Sequence, residues 1–307
     1  MRILVVGAGA VGGYFGGRLA AAGRDVTFLV RAARAAQLQR DGLRIVSSFG
    51  DATISPKTIS AAEIDGPYDV LLLSVKAYSL ESAMNDFASA VGPQTMILPL
   101  LNGMRHLDTL AARFGEEAVL GGVSHISADL DSEGRIVHLG PLQDLVFGAR
   151  NREVTPRLQA LGVALSNAGF EDTLSPDIIA SMWQKWVVLA GLASITCLLR
   201  GSIGEAAAMP RGLETERAII AECAAIASAA GYPPPQTYLD TVGARLTEQG
   251  SPLTASMYRD LQKGAPVEVE QTLGDLLTRG SALGIDTPLV RAAYVQLAMY
   301  QARLSQA

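Results

Sequence analysis

Cysteine is scarce: Cys197 and Cys223 are the only two thiols in 307 residues. Two thiols without a C-x-x-C spacing build neither a disulfide framework nor a thiol redox site, so a reducing, cytoplasmic setting is expected. There is no basic surplus. Lys plus Arg total 25 against 30 Asp plus Glu, a net charge of -5, which argues against nucleic acid or an anionic membrane as partner. The three histidines, His106, His125 and His138, form no H-E-x-x-H or other ligand spacing, so no metal site is expected. G-x-S-x-G is missing, as is any plausible Ser–His–Asp set, which excludes serine-hydrolase chemistry. The N-terminus carries no basic n-region with a cleavage pattern, so it does not read as a signal peptide. The longest apolar helical run, 187–199, lies between Lys185 and Arg200. A membrane span needs about 20 apolar residues, so this run reads as a buried core helix.

What is present is apolar and glycine-rich: 49% hydrophobic, 18% charged, 31 glycines. That composition excludes disorder and supplies sizeable cores, and the length suggests two domains. In the first half, short β-rich runs alternate with helical stretches. Candidate strands are 2–6, 26–30, 70–74, 96–100 and 118–124, with helices over 13–22 and 79–91 between some of them. This alternation predicts parallel βαβ units. Residues 43–55 read as a hairpin insertion, and 135–147 as further strands, antiparallel at the sheet edge. Strand signals stop after about 172. The runs 177–200, 211–230, 235–248, 253–263, 266–283 and 287–304 all read helical, with Gly/Pro breaks between them. The expected fold is an α/β Rossmann-type N-terminal domain with a mostly parallel sheet, 1–172, followed by an all-helical C-terminal domain, 173–307.

The strongest local signal is Gly7-Ala8-Gly9-Ala10-Val11-Gly12, a G-x-G-x-x-G directly after strand 2–6 and opening a helix. In that context Gly7 permits the tight turn, Gly9 lets backbone N–H groups reach a pyrophosphate, and Gly12 permits close helix–strand packing. An NAD site usually places Asp or Glu at the end of the second strand. Here Val30-Arg31-Ala32-Ala33-Arg34 has no carboxylate, and Arg31 can pair with a 2′-phosphate, so NADP (NADPH) is the expected cofactor. Lys76 and Asn102 follow the fourth and fifth strands, where open α/β sheets bind ligands. Equally, Asn102-Gly103 reads as a turn pair and Lys76 as a solvated lysine.

In the second half, Lys185 opens an otherwise apolar helix. Either its stem snorkels, or the half-buried ammonium has a lowered pKa and acts as an acid near neutral pH. Glu268 follows Pro266 near a helix start, where an acid also favours the helix dipole. Ser256 and Asp260 share a helix face.

Together these pieces resemble the ketopantoate reductase (2-dehydropantoate 2-reductase) family. The resemblance covers nearly the whole chain. It rests on GAGAVG at 7–12, Arg31, Val75-Lys76-Ala77, Asn102-Gly103-Met104, Trp183-x-Lys185, Arg200 with Ile203-Gly204-Glu205, and Ser256-Met257-x-x-Asp260 with Gly264 and Glu268. It implies a Rossmann-type domain and a helical domain that together bind NADPH and a small 2-keto acid. An all-helical second domain rich in Ala and Leu is also compatible with a homodimer. It makes Lys185 the general acid and Glu268 its partner near the cofactor ribose and substrate. Ser256 would contact the substrate carboxylate, and Asn102 would bridge nicotinamide and substrate. Lys76 and Arg31 would hold NADPH, with a backbone group at Ser127 also meeting it. The implied activity is reduction of 2-dehydropantoate to (R)-pantoate in pantothenate and coenzyme A biosynthesis.

One departure stands out. Family members typically carry two Asn, four and eight residues after the catalytic Lys. Here those positions are Leu189 and Ala193, on the Lys185 face, so the substrate floor has lost two amides. A same-fold reductase of a more apolar 2-keto or 3-hydroxy acid is therefore the first rival expectation. A non-catalytic NADP-binding sensor is the second, and a Lys185–Glu268 pair argues against it.

Overall fold

Strand β1 (Arg2–Val6) is buried from Ile3 to Val6, as a strand covered on both faces must be. The computed structural model describes residues 1–306. From β1 the chain runs through α1 (Ala10–Ala21), β2 (Asp25–Leu29), α2 (Ala32–Asp41), β3 (Leu43–Val46), β4 (Ala52–Ile54), β5 (Lys57–Ile59), β6 (Val70–Leu73), α3 (Leu80–Phe87), β7 (Met96–Pro99) and α4 (Arg105–Phe114). It continues through β8 (Leu120–Leu130), β9 (Ile136–Ala149), α5 (Pro156–Leu165) and β10 (Glu171–Leu174). The first sheet has the order β5-β2-β1-β6-β7 and is parallel throughout, as the alternating pattern predicts.

The 43–55 segment forms the expected antiparallel pair, β3 with β4. Its surroundings differ from expectation. Residues 135–147 do not edge the parallel sheet. They form most of β9, an inner strand of a second sheet ordered β10-β9-β3-β4, antiparallel to β8 but parallel to β3 and β10. The candidate strand 118–124 is divided: Val119 bridges in parallel to Ile97 of the first sheet, whereas 120–124 begin β8, an eleven-residue strand of the second. The cause is the length of the β8–β9 hairpin, which is long enough to recruit distant partners on its outer edge.

Helix α1 lies against both sheets. A Cβ on Gly16 would come within 2.7 Å of Val5 and 2.8 Å of Phe28 in the first sheet, and one on Gly17 within 2.9 Å of Leu43 and Ile45 in the second. The glycines of α1 are thus the condition for close approach on two sides at once.

The helical part comprises α6 (Ile178–Leu199), α7 (Ile203–Ala207), α8 (Gly212–Ala229), α9 (Gln236–Arg245), α10 (Ser256–Gln262), α11 (Asp275–Ala282) and α12 (Pro288–Leu304), with a π-helical turn, Glu270–Gly274, leading into α11. By contacts, one compact unit is 1–101 with 106–181, and the other is 102–105 with 182–307. Helix α6 has 22 residues, longer than its apolar run suggests, and meets the length and composition of a membrane span. However, 61% of its most apolar window is buried inside the protein, which identifies a core helix. Trp186, Val187, Ala190, Ile195 and Cys197 are at most 1% exposed. Where α6 carries Gly191, α8 and α9 pack close, with Ile220 and Leu246 as the nearest side chains. The start of α12 has Pro288 in its first turn, and its Leu289 and Val290 N–H groups donate to the Glu222 carboxylate of α8 at 3.1 and 2.9 Å. A carboxylate there satisfies two orphan donors and complements the helix dipole.

Candidate functional site

The dinucleotide motif has the geometry its glycines require. Gly7 turns the chain out of β1 at φ +95°, and a Cβ there would lie 2.9 Å from the Ser74 carbonyl. A Cβ on Gly12 would lie 2.3 Å from the Gly7 carbonyl and 2.9 Å from Ser74 Cβ. These two glycines serve packing. Gly9 is different: a Cβ there would meet nothing within 4 Å. It caps α1 without a side-chain hydrogen bond, and the first turn, Ala10 and Val11 included, carries no acid. The space over Gly9, free N–H groups and a positive helix end together fit a pyrophosphate.

Around this loop, Arg31 caps α2 with an exposed side chain, and its guanidinium approaches Ser82 Oγ only at 3.5 Å. Lys76 is exposed just after β6, at the start of a short 3₁₀ turn. Ser127 lies in β8 where the register with β9 shifts between Ile126 and Ala128. All belong to the same compact unit as the loop.

The second unit holds a pocket of about 390 Å³, solvent at its mouth included. One part is polar: Asn102, Ser256, Asp260, Glu268 and Thr272. The other is apolar: Leu189, Leu192, Ala193, Ala255 and Met257. Six of the residues singled out in the sequence, Asn102, Leu189, Ala193, Ser256, Asp260 and Glu268, therefore line one pocket. Lys185 is not among its lining residues. It sits one helical turn before Leu189 on α6 and so shares that face.

Local architecture explains the convergence. Residues 102–105 group with the helical unit, and Gly103, at φ +74°, is where they approach it most closely. A Cβ on Gly103 would lie 2.3 Å from the Gln271 carbonyl. Gln271 belongs to the π turn, and the Trp186 indole of α6 donates to the Thr272 carbonyl in the same turn at 2.8 Å. The π turn is thus pinned by α6 on one side and the Asn102-Gly103 loop on the other. Glu268 precedes it, its carbonyl accepting from Thr272 N at 3.1 Å. A π turn breaks the regular i→i+4 ladder and commonly marks a functional position. No sequence signal announces it, because Glu270-Gln271-Thr272-Leu273-Gly274 reads as ordinary helix; Thr272 was not anticipated for that reason.

Lys185 is partly buried, and loss of hydration at its ammonium pushes its pKa down from 10.5 to about 8. Desolvation disfavours the charged form of an amine. The group is then largely protonated near neutral pH yet gives up its proton far more readily than a surface lysine. Carboxylates, an amide and hydroxyls beside an apolar wall, with a lysine of lowered pKa one helical turn from the lining residue Leu189, form a set suited to a small oxygen-bearing acid. No group of three or more His, Cys, Asp or Glu suited to a metal ion is found among the described residues.

The chain is similar to known proteins over nearly its whole length. Residues 3–152 match the ketopantoate reductase PanE/ApbA family and residues 177–301 its C-terminal region. An uncharacterized oxidoreductase, YkpB of Bacillus subtilis, is 37% identical over 98% of this chain and 99% of its own. A 2-dehydropantoate 2-reductase of Archaeoglobus fulgidus is 29% identical over 94% of both. Among solved structures, the 2-dehydropantoate 2-reductase of Geobacter metallireducens superposes with a TM-score of 0.89 at 28% identity, over 97% of this chain and 99% of that one. A D-mandelate dehydrogenase solved with NADH and anilino(oxo)acetate shares the fold, with a TM-score of 0.86 at 22% identity, over 99% of this chain and 100% of that one. The chain belongs to the ketopantoate reductase family of oxidoreductases.

Proposed function

We propose that this chain is a cytoplasmic NADPH-dependent reductase of a small branched 2-keto acid, with reduction of 2-dehydropantoate to (R)-pantoate as its first candidate reaction. The observation that carries the reading is the pocket that unites Asn102, Ser256 and Glu268 on the Lys185 face of α6. Bound NADPH supplies the hydride that adds to the keto carbon. The protein supplies the rest. Hydride addition builds negative charge on the keto oxygen, and Lys185 Nζ neutralises it by giving a proton. Glu268 orients the ammonium, the Ser256 hydroxyl donates to the substrate carboxylate, and the Asn102 amide holds the keto acid in register. Gly7 to Gly12 seat the pyrophosphate and Arg31 pairs with the 2′-phosphate, with Lys76 and the Ser127 backbone as further contacts to NADPH. Steady-state NADPH oxidation with a panel of 2-keto acids tests the reading. Turnover of none of them, with NADPH still bound, would return the protein to a sensor role.

The cofactor preference is separately testable. NADPH is expected to bind at least about tenfold more tightly than NADH, and Arg31→Ala to erase most of that preference, because an arginine replaces the ribose-binding acid of NAD sites. Equal affinity of the unmutated protein for both nucleotides, measured by fluorescence titration, would refute it.

A second reading has its own observation: Leu189 and Ala193 line the pocket, where the family resemblance implies two amides. The substrate's side chain is then more apolar than that of ketopantoate. Each buried methylene gains about 0.8 kcal/mol, and a buried hydroxyl left unpaired costs about 1–3 kcal/mol. Leu189→Asn is therefore expected to shift the ratio of kcat/KM values toward ketopantoate and away from 2-keto-isovalerate, by roughly tenfold for a difference of about 1.4 kcal/mol. The ratio must be measured with both substrates on both proteins. An unchanged ratio would show that Leu189 does not sense the substrate's hydroxyl.

A further inference from the structure

Arg34 sits in the first turn of α2, three residues beyond Arg31. Its Nε donates to the Ala8 carbonyl of the dinucleotide loop at 3.0 Å. Its Nη1 donates to Gln37 Oε1 at 2.7 Å and to the Gly134 carbonyl, in the β8–β9 turn, at 3.2 Å. Gln37 in turn donates to the Glu133 carbonyl of that turn at 2.9 Å. The remaining nitrogen, Nη2, is enclosed and has no hydrogen-bond partner. With Nε and Nη1 engaged by the protein and Nη2 enclosed, this half-buried guanidinium is anchored in place, unlike that of the exposed Arg31. What it does is hold one carbonyl of the loop.

That carbonyl belongs to the Ala8–Gly9 peptide, which is trans. In a trans peptide the C=O and N–H point in opposite directions. With the Ala8 oxygen drawn to Arg34, the Gly9 N–H is turned away from it. Gly9 is also the glycine whose missing side chain leaves open space.

We infer that Arg34 is a positioning residue for the dinucleotide loop, clamping the Ala8 carbonyl so that the Gly9 N–H is presented to the pyrophosphate. The inference rests on the dinucleotide reading of this unit, and it divides the labour of two neighbouring arginines. Arg31 distinguishes NADPH from NADH; Arg34 serves both equally, because both carry the same pyrophosphate.

Isothermal titration of NADPH and NADH separates these roles. Arg34→Met keeps an apolar stem and removes the donors. It is expected to weaken both nucleotides by the same factor, about tenfold, the order lost with a charge-assisted hydrogen bond. Arg34→Lys should recover part of that loss, whereas Arg31→Ala should weaken NADPH alone. In steady state, Arg34→Met should raise KM for NADPH and leave kcat at saturation and the melting temperature near those of the unmutated protein. Loss of NADPH affinity alone would make Arg34 a 2′-phosphate ligand and overturn the inference. Unchanged affinity for both would overturn it too, as would a parallel fall in kcat and melting temperature, which marks a purely structural arginine. If the unmutated protein binds neither nucleotide, the dinucleotide reading falls first and the inference with it.

Discussion

Lys185→Ala is expected to lower turnover by about two to four orders of magnitude, the range a general acid contributes, while NADPH affinity stays nearly unchanged. The expectation follows from the desolvated ammonium, whose pKa falls to about 8. A reductase that needs this proton runs at full rate where Lys185 is charged. Its kcat is therefore expected to fall as pH rises above about 8, because the deprotonated amine has no proton to give. Lys185→Arg sharpens the test. It keeps the charge, but a guanidinium with a pKa above about 12 cannot release a proton near neutrality, so the rate should stay low and the alkaline limb should vanish. Near-normal turnover of Lys185→Ala would assign Lys185 to snorkelling over the apolar face of α6.

Replacing Glu216 by leucine is expected to stabilise the protein at alkaline pH and to do much less at acid pH. Glu216 lies in α8 and is fully buried, and neither carboxylate oxygen has a hydrogen-bond partner. Burial raises its pKa from 4.5 to about 7. The folded state therefore binds this proton more tightly than the unfolded state does. The stability that goes with the bound proton is complete below the unfolded value of 4.5 and is lost as pH rises through about 7. The full shift, from 4.5 to about 7, amounts to at most about 3.4 kcal/mol, at 1.36 kcal/mol per pKa unit. Urea unfolding at pH 5 and pH 8.5 should then show the advantage of Glu216→Leu growing by roughly 2–3 kcal/mol across that interval. A pH-independent difference would mean that the carboxyl does not titrate between those values.

The parts of the molecule legible in its sequence are those with local causes. Four strands of the first sheet, β1, β2, β6 and β7, are readable because each is a short apolar run followed by helix-forming residues, and GAGAVG falls where β1 meets α1; the three-residue edge strand β5, Lys57-Thr58-Ile59, carries no such signal. The helical half is readable because glycine and proline interrupt it. The second sheet is not, because nothing local tells β9 to pair in parallel with β3 through Ile45↔Ile136 and Val46↔Val137, some ninety residues away. Alternation marks a strand but not its partner. The pocket was half legible. Asn102, Ser256 and Glu268 stood out through their place in a known pattern, and Leu189 and Ala193 by breaking it. Thr272 was invisible, because only the π turn brings it to the pocket.

Helix α1 also stands between the two sheets. It is a spacer whose thickness is that of bare main chain, since side chains are missing on the faces where Gly13, Gly16 and Gly17 meet Ile136, Phe28 and Ile45. Close-packed interiors transmit displacement instead of absorbing it. Helix α1 thus sets much of the spacing between the sheets, alongside the direct approach of β7 to β8 at Ile97–Val119 and Pro99–Gly122. A displacement at the first turn of that helix is passed to both sheets together, as far along the chain as β9.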